Sequence, residues 1–158
     1  MKISKKSRYA LRLCLDLAVH QNEGCVSLNE IAQRQGVSKK FLEHIVQDLG
    51  KAGILKTYRG YLGGYRLAKD LQDISLGDIL RATETSEFLV SCLSPEEFCE
   101  KSRECLSRSV WLGLMQAIDE HCNKVTLQSI LSEGKKSHGP STERPVRFVV
   151  DGCLQTKL

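Results

Sequence analysis

The stretch SLNEIAQRQGVSKKFLEHIVQDLGKAG, residues 27 to 53, limits what this chain can fold into more than any other. Ser27 is followed three residues later by Glu30, the S-x-x-E pattern in which the two side chains satisfy each other's backbone N–H at a helix start. Leu28, Ile31 and Ala32 then share one helical face. Gly36 stops that helix, and Ser38 caps a second. The second helix places Leu42, Ile45, Val46 and Leu49 inward, with Phe41 at the edge. Two short helices joined by Q-G-V-S read as a helix-turn-helix. Lys39, Lys40, Glu43 and His44 stay available on the N-terminal part of the second helix. In this motif those positions meet base edges and phosphates.

The next fifteen or so residues narrow the class further. Ile54 to Tyr58 reads as one strand and Tyr65 to Leu67 as a second, with Gly60, Gly63 and Gly64 supplying the turn between them. A helix-turn-helix leading directly into a β-hairpin is a winged helix. Arg59 sits at the hairpin tip and Arg66 at its base. An arginine at a wing tip is placed to enter a narrow minor groove.

The flanks are helical. Tyr9, Leu13 and Leu17 recur every four residues, with Ala10 and Cys14 beside them. That helix ends near His20, at the loop QNEGC. Ser75 caps LGDILRATE after the wing. From Leu106 the pattern turns helical again, and Val110, Trp111, Leu114, Met115, Ile118 and Cys122 form one long apolar stripe. Such a stripe serves either an internal core or a dimer interface. Thr126 caps a last short helix, LQSIL. From Glu133 on the chain is polar and broken by Pro140 and Pro145, a composition expected to be disordered. The expected fold class is mainly α with a small β-hairpin wing. The expected organisation is a winged helix-turn-helix domain over 1–84, a cysteine loop over 85–105, a dimerisation helix and short final helix over 106–131, and a tail over 132–158.

Charge says which half meets a polyanion. The first 70 residues carry 13 Lys and Arg against 6 Asp and Glu, whereas the rest carry 10 against 13. The N-terminal half is thus the candidate nucleic-acid surface. No apolar run approaches the roughly 20 residues needed to span a bilayer. Arg12 and Asp16 interrupt the apolar stretch near the N-terminus, so it reads as an amphipathic helix and not a signal peptide. The expectation is a cytoplasmic protein that keeps its thiols reduced.

The seven cysteines are therefore not read as a disulfide framework. Three of them, Cys92, Cys99 and Cys105, cluster as C-x6-C-x5-C in CLSPEEFCEKSREC. Glu96, Glu97, Glu100 and Glu104 make this segment acidic, which disfavours bare thiolates, and Lys101 and Arg103 compensate in part. Core packing, metal or cluster ligation, and redox sensing remain the uses open to them. Zinc sites more often use tight C-x2-C pairs.

The opening MKISKKSRYALR, then FLEHIVQDLGKAGILKTYRGYLGGYRLAKD, ISLGDILRATE and the cysteine triplet running into CLSRSVW resemble the IscR/NsrR/CymR-type regulators, the Rrf-two family of bacterial winged-helix proteins. The resemblance covers residues 1 to about 131. Its most specific parts are RG-x-x-GGY-x-L at 59 to 67 and the triplet at 92, 99 and 105. It implies a homodimer joined through Val110, Trp111, Leu114 and Ile118, addressing a near-palindromic operator in double-stranded DNA. It implies DNA contacts by Arg8, Ser38, Lys39, Lys40, Glu43, Arg59 and Tyr61. Glu43 would read bases, since a carboxylate accepts from cytosine N4. Arg8, Lys39 and Lys40 would hold phosphates.

The resemblance also implies an iron–sulfur cluster held by Cys92, Cys99 and Cys105. Such clusters need several soft thiolates. Three cysteines leave a fourth ligand open. One branch of the family fills it with a histidine three residues after the last cysteine, where this chain has Arg108. Another borrows an acidic residue from near the partner's N-terminus, where this chain has Arg8. An arginine cannot ligate. Both a 4Fe–4S and a 2Fe–2S cluster stay open, with the missing ligand favouring the former. His44, His121, Cys14 and Cys122 are further candidates, although Cys14 and Cys122 sit on apolar stripes that suit core positions. The implied function is a repressor or activator whose operator binding reports iron–sulfur supply, oxidation or nitric oxide. The alternatives are a cluster-free thiol-redox or partner-controlled repressor of the same fold, and a structural zinc loop. No C-x-x-C pair, Walker loop or paired-carboxylate cleft points to an enzyme.

Overall fold

The computed structural model describes residues 3–20, 24–84, 90–94, 99, 102 and 104–137. Among these residues, six α-helices and one hairpin run in order: α1 Lys5–His20, α2 Leu28–Gln35, α3 Lys39–Lys51, β1 Leu55–Tyr58, β2 Gly64–Leu67, α4 Leu76–Thr83, α5 Arg108–Lys124 and α6 Leu127–Ser137. A mainly helical chain with a small antiparallel wing is the fold class expected from the sequence.

Local chemistry sets the helix boundaries. At α2 the Glu30 N–H donates to Ser27 Oγ and the Ser27 N–H donates to Glu30 Oε2, so the capping box closes in both directions. Gly36 ends α2 at φ +63°, a conformation glycine adopts without a Cβ penalty. Ser38 accepts the Phe41 N–H and starts α3. A second full capping box starts α4, where Asp78 reciprocates Ser75. At α6, Thr126 accepts the Ser129 N–H and Ser129 Oγ accepts the Thr126 N–H. This last helix runs on past Leu131 to Ser137, because no proline interrupts it before Pro140.

The core is built from one face of each element. Leu13, Cys14 and Leu17 of α1, Ile31 of α2, Leu42, Ile45 and Leu49 of α3, Ile54 before β1, and Ile79 of α4 are all essentially buried. Leu127 of α6 joins them. Helix α4 is central: it packs against α1, α3 and α5. In the wing Leu55 pairs with Leu67, Lys56 with Arg66, Thr57 with Tyr65 and Tyr58 with Gly64. Val26 adds a bridge to Tyr65 on the outer edge of β2. An added Cβ on Gly64 would lie 2.5 Å from the Val26 carbonyl oxygen, so only glycine lets that chain approach.

One polar contact ties α1 to α2. Asp16 is 8% exposed, and Arg34 Nη2 donates to its Oδ1 at 2.6 Å. Arg34 Nε donates to Oδ2 at 3.0 Å and Gln35 Nε2 to Oδ2 at 3.0 Å. Arg12 Nε holds Gln35 from the far side at 2.8 Å. Burial alone would raise the Asp16 carboxyl. The hydrogen bonds from Arg34 and Gln35 and the charges of Arg34 and His20 outweigh it and hold the carboxyl below its usual range.

Candidate nucleic-acid interface and cysteine segment

The candidate recognition surface comprises the exposed side of α3 and the wing. Ser38, Lys39, Lys40 and Glu43 are exposed along the first turns of α3, while Leu42 and Ile45 anchor its other face. Arg59 and Tyr61 are exposed at the turn of the hairpin, and Tyr61 is 103% exposed. Arg8 is exposed in the first turns of α1. Every residue expected to contact DNA thus has its side chain in solvent, and none is used by the core.

Helix α1 is braced against α3. Lys6 Nζ lies 2.5 Å from Asp48 Oδ2 of α3. Lys5 Nζ lies over both the Tyr9 and Phe41 rings, and those two rings meet edge to face at 5.5 Å. The start of α1 is in turn held by the end of α4. Glu84 Oε1 accepts the Ser4 N–H at 2.9 Å. The Thr83 hydroxyl lies 2.8 Å from Ser7 Oγ and 2.7 Å from the Ile79 carbonyl. Ser7 and Thr83 are both buried. Polar contacts therefore join Glu84 and Thr83, at the edge of the segment that leads to the cysteines, to the start of α1, and Lys6 of the same first turn joins α3. Sequence reasoning missed these contacts, since their members are spread over 80 residues of separation with no local pattern.

The cysteine segment is only partly within the described residues. Cys92 is exposed in a single tight turn, Ser91–Leu93, and Leu93 pins that turn with 8% exposure. Cys99 and Cys105 are half-buried. Glu96, Glu97, Glu100, Lys101 and Arg103 lie outside the described residues. Arg108 joins the two ends of the segment: its backbone N–H donates to the Cys105 carbonyl at 3.2 Å and its Nη1 to the Cys92 carbonyl at 3.4 Å. Cys105 Sγ is 3.3 Å from Ser107 Oγ. That contact, with the Arg108 charge behind it, holds the Cys105 thiol below its ordinary range.

The donor set suits an iron–sulfur cluster in its chemistry: three soft thiols, none in a disulfide, one already biased toward thiolate. Among the described residues no three His, Cys, Asp or Glu side chains gather closely enough to hold a metal ion. Cys14 and Cys122 take the core positions expected of them, at 0% and 8% exposure. Burial pushes the Cys14 thiol up to about 12 and raises Cys122 as well. His44 and His121 are exposed on α3 and α5.

The apolar stripe of α5 is not an internal core. Among the α5 residues only Cys122 is buried. Val110 is 63% exposed, Leu114 46% and Trp111 39%, with Ile118 half-buried. No helix among the described residues is long and apolar enough to cross a membrane.

Comparison with known proteins fits this geometry. Residues 3–133 match the model of the Rrf2 family, described as an iron-dependent transcriptional regulator. Protein rrf2 of Nitratidesulfovibrio vulgaris is 38% identical over 84% of this chain and 89% of its own. The HTH-type transcriptional regulator IscR of Vibrio vulnificus is 35% identical over 85% of this chain and 80% of its own. The structure of CymR, the global cysteine regulator of B. subtilis, superposes with a TM-score of 0.69 at 35% identity, covering 84% of this chain and 98% of CymR. With the helix-turn-helix, the wing and the family match in agreement over the same residues, the chain belongs to the Rrf2 family of DNA-binding winged-helix transcriptional regulators.

Proposed function

We propose that this regulator binds a near-palindromic operator as a homodimer, and that an iron–sulfur cluster on Cys92, Cys99 and Cys105 sets its affinity. The observation that carries the reading is the cysteine segment itself. Three thiols free of disulfides sit on a short loop whose ends Arg108 clips together, directly before α5. The likeness to IscR and to an iron-dependent family supports it. When bound, the cluster supplies a dissociable tether among three points of the loop and a redox-active centre.

The chain's own residues do the rest. Cys105 precedes α5 by two turn residues, so restraint at Cys105 bears on the start of that helix. Val110, Trp111, Leu114 and Ile118 of α5 meet the same residues of a second copy. Arg81 of α4 reaches α5 through Asp119 and Asn123. At the other end of the segment, Thr83 and Glu84 hold the first turn of α1, and Lys6 holds α3 through Asp48. The first route ends on α4, which packs against α1 and α3, and the second ends on those two helices themselves, which carry Arg8, Lys39, Lys40 and Glu43. Two arrangements of the dimer that differ in affinity for the operator then respond to the loop by population shift.

A second reading is favoured by Cys105. Its thiol is open to solvent, lowered by Ser107 and Arg108, and shares the loop with Cys92. Reversible oxidation of these thiols would control the same fold without a cluster. Iron and acid-labile sulfide per chain, measured with the visible absorption spectrum on anaerobically purified protein, separate the two. Bound iron and sulfide that disappear in the Cys92→Ala, Cys99→Ala, Cys105→Ala triple variant support the cluster. A colourless protein that takes up neither on reconstitution, yet still shifts DNA, leaves the thiol switch.

A further inference from the structure

Helix α5 is fastened to the DNA-binding domain by its C-terminal third. Among the α5 residues only Cys122 is buried, and Val110, Trp111, Leu112 and Leu114 stand exposed ahead of it. Just past α5 the chain is stitched to the start of α4. The Leu76 N–H donates to the Val125 carbonyl at 2.8 Å and the Leu127 N–H to the Ile74 carbonyl at 3.0 Å. Gly77 lets the two helices close, since an added Cβ there would run into Asn123 Oδ1. Arg81 then spans them with both ends of its guanidinium. Its Nη1 donates to Asn123 Oδ1 at 3.0 Å and to Asp119 Oδ1 at 3.3 Å on α5, and its Nη2 to Asp78 Oδ1 at 2.7 Å on α4. The acceptors are themselves held. Asp78 Oδ2 accepts the N–H and the hydroxyl of Ser75, and Asn123 Nδ2 donates to Asp119 Oδ2 at 2.9 Å. The Arg81 and Asp119 side chains are 41% and 65% exposed, and ion pairs so exposed add little stability. What a forked guanidinium adds here is geometry.

We propose that Arg81 is a positioning residue: its fork, seated over the Gly77–Asn123 contact, fixes the angle between α5 and the DNA-binding domain and so the half-site spacing that a dimer accepts. Helix α3 packs on α4, so the recognition helix turns with α4. Val110 and Asn123 lie on one helix, about 20 Å apart along its axis. A swing of about 10° at the joint moves the far end of α5 by roughly 3.5 Å, close to the rise of one base pair. With that end held against a second copy, slack at the joint lets the two recognition helices settle on half-sites one base pair too near or too far. The fork removes that slack. A lysine at position 81 keeps the charge but has a single nitrogen, which cannot serve both helices. The inference rests on the homodimer of the proposed function and not on the reading of the cysteines.

The test uses the full chain with Arg81→Gln, Arg81→Lys and Gly77→Ala. A duplex selected from random sequence by the wild-type protein supplies the two half-sites. Affinity is measured for that duplex, for duplexes with one base pair added or removed between the half-sites, and for a single half-site, with the oligomeric state followed by sedimentation. Each variant is expected to stay dimeric and to keep the wild-type affinity for the single half-site. Each should narrow the preference for the selected spacing over the altered ones by about fivefold or more. An unchanged spacing preference in dimeric Arg81→Gln and Gly77→Ala overturns the inference and leaves the homodimer standing. So does a wild-type preference in Arg81→Lys, since charge and not the fork would then suffice. A loss equal at every spacing and at the single half-site also overturns it, because that marks damage to the DNA-binding domain. A wild-type chain that is monomeric on the selected duplex removes the homodimer, and the inference with it.

Discussion

At the scale of single residues, the chain separates thiols and carboxylates by environment. Cys14 sits in the core with its thiol pushed up to about 12, whereas Cys105 is lowered by Ser107 and Arg108. Alkylation of the folded protein with iodoacetamide, read by mass spectrometry, should label Cys105 well before Cys14 or Cys122. Equal labelling of all three would contradict the burial described. Asp16 gives the sharpest stability prediction. Asp16→Asn leaves Arg34 and Gln35 facing an amide that cannot accept both donors as a carboxylate does, at a cost of about 1–3 kcal/mol at pH 7. Because the folded carboxyl is lowered, its contribution is present above the ordinary range near 3.8 and fades as pH falls below it. The gap between wild type and variant in urea unfolding should therefore shrink from pH 7 to pH 3. The core places of Cys14 and Cys122 were legible as positions on apolar stripes, whereas the Asp16 contacts were not. Asp16 and Arg34 lie 18 residues apart, and Asp16 reads there only as an interruption of an apolar stretch.

At the scale of elements, the sequence was far more informative, because caps and periodicity are local. Ser27 and Glu30 mark α2, Gly36 and Ser38 mark the turn, and the glycines after Arg59 mark the wing. The apolar stripe of α5 was equally plain, but its partner was not. A stripe reads the same whether it faces its own core or another chain, and only the exposure of Val110, Trp111 and Leu114 separates the two. Leu114→Glu should convert the proposed dimer to monomer in sedimentation experiments while leaving the winged-helix domain folded. A dimer that persists would remove α5 from the interface. The length of α6 was under-read, since its last turns are polar and carry no apolar periodicity. The bridge from Val26 to Tyr65 was not legible at all, although Gly64 was its only trace. Gly64→Ala should cost about 1–3 kcal/mol through displacement of the Val26 backbone, and should weaken DNA binding by disturbing the wing.

At the scale of the whole molecule, α4 lies between the proposed dimer helix and the recognition surface, and the cysteine segment connects its end to the start of α5. Glu84 and Thr83 give this arrangement a physical link to α1, and Lys6 extends it to α3. Such a link predicts a coupling effect distinct from stability. Glu84→Gln, which keeps shape but weakens the grip on the Ser4 N–H, should narrow the difference in operator affinity between the two states of the cysteine segment. Its effect on the affinity of either state alone should be smaller. An unaltered ratio between the states would show that α1 is not part of the path. In the proposed function the state of Cys92, Cys99 and Cys105 governs DNA binding. The most direct measurement is operator affinity, at fixed salt, of anaerobically purified protein carrying its cluster and of the same preparation after cluster removal. A coupling of about 1.4 kcal/mol, or roughly tenfold in affinity, is the predicted result. Equal affinities in the two states would contradict it.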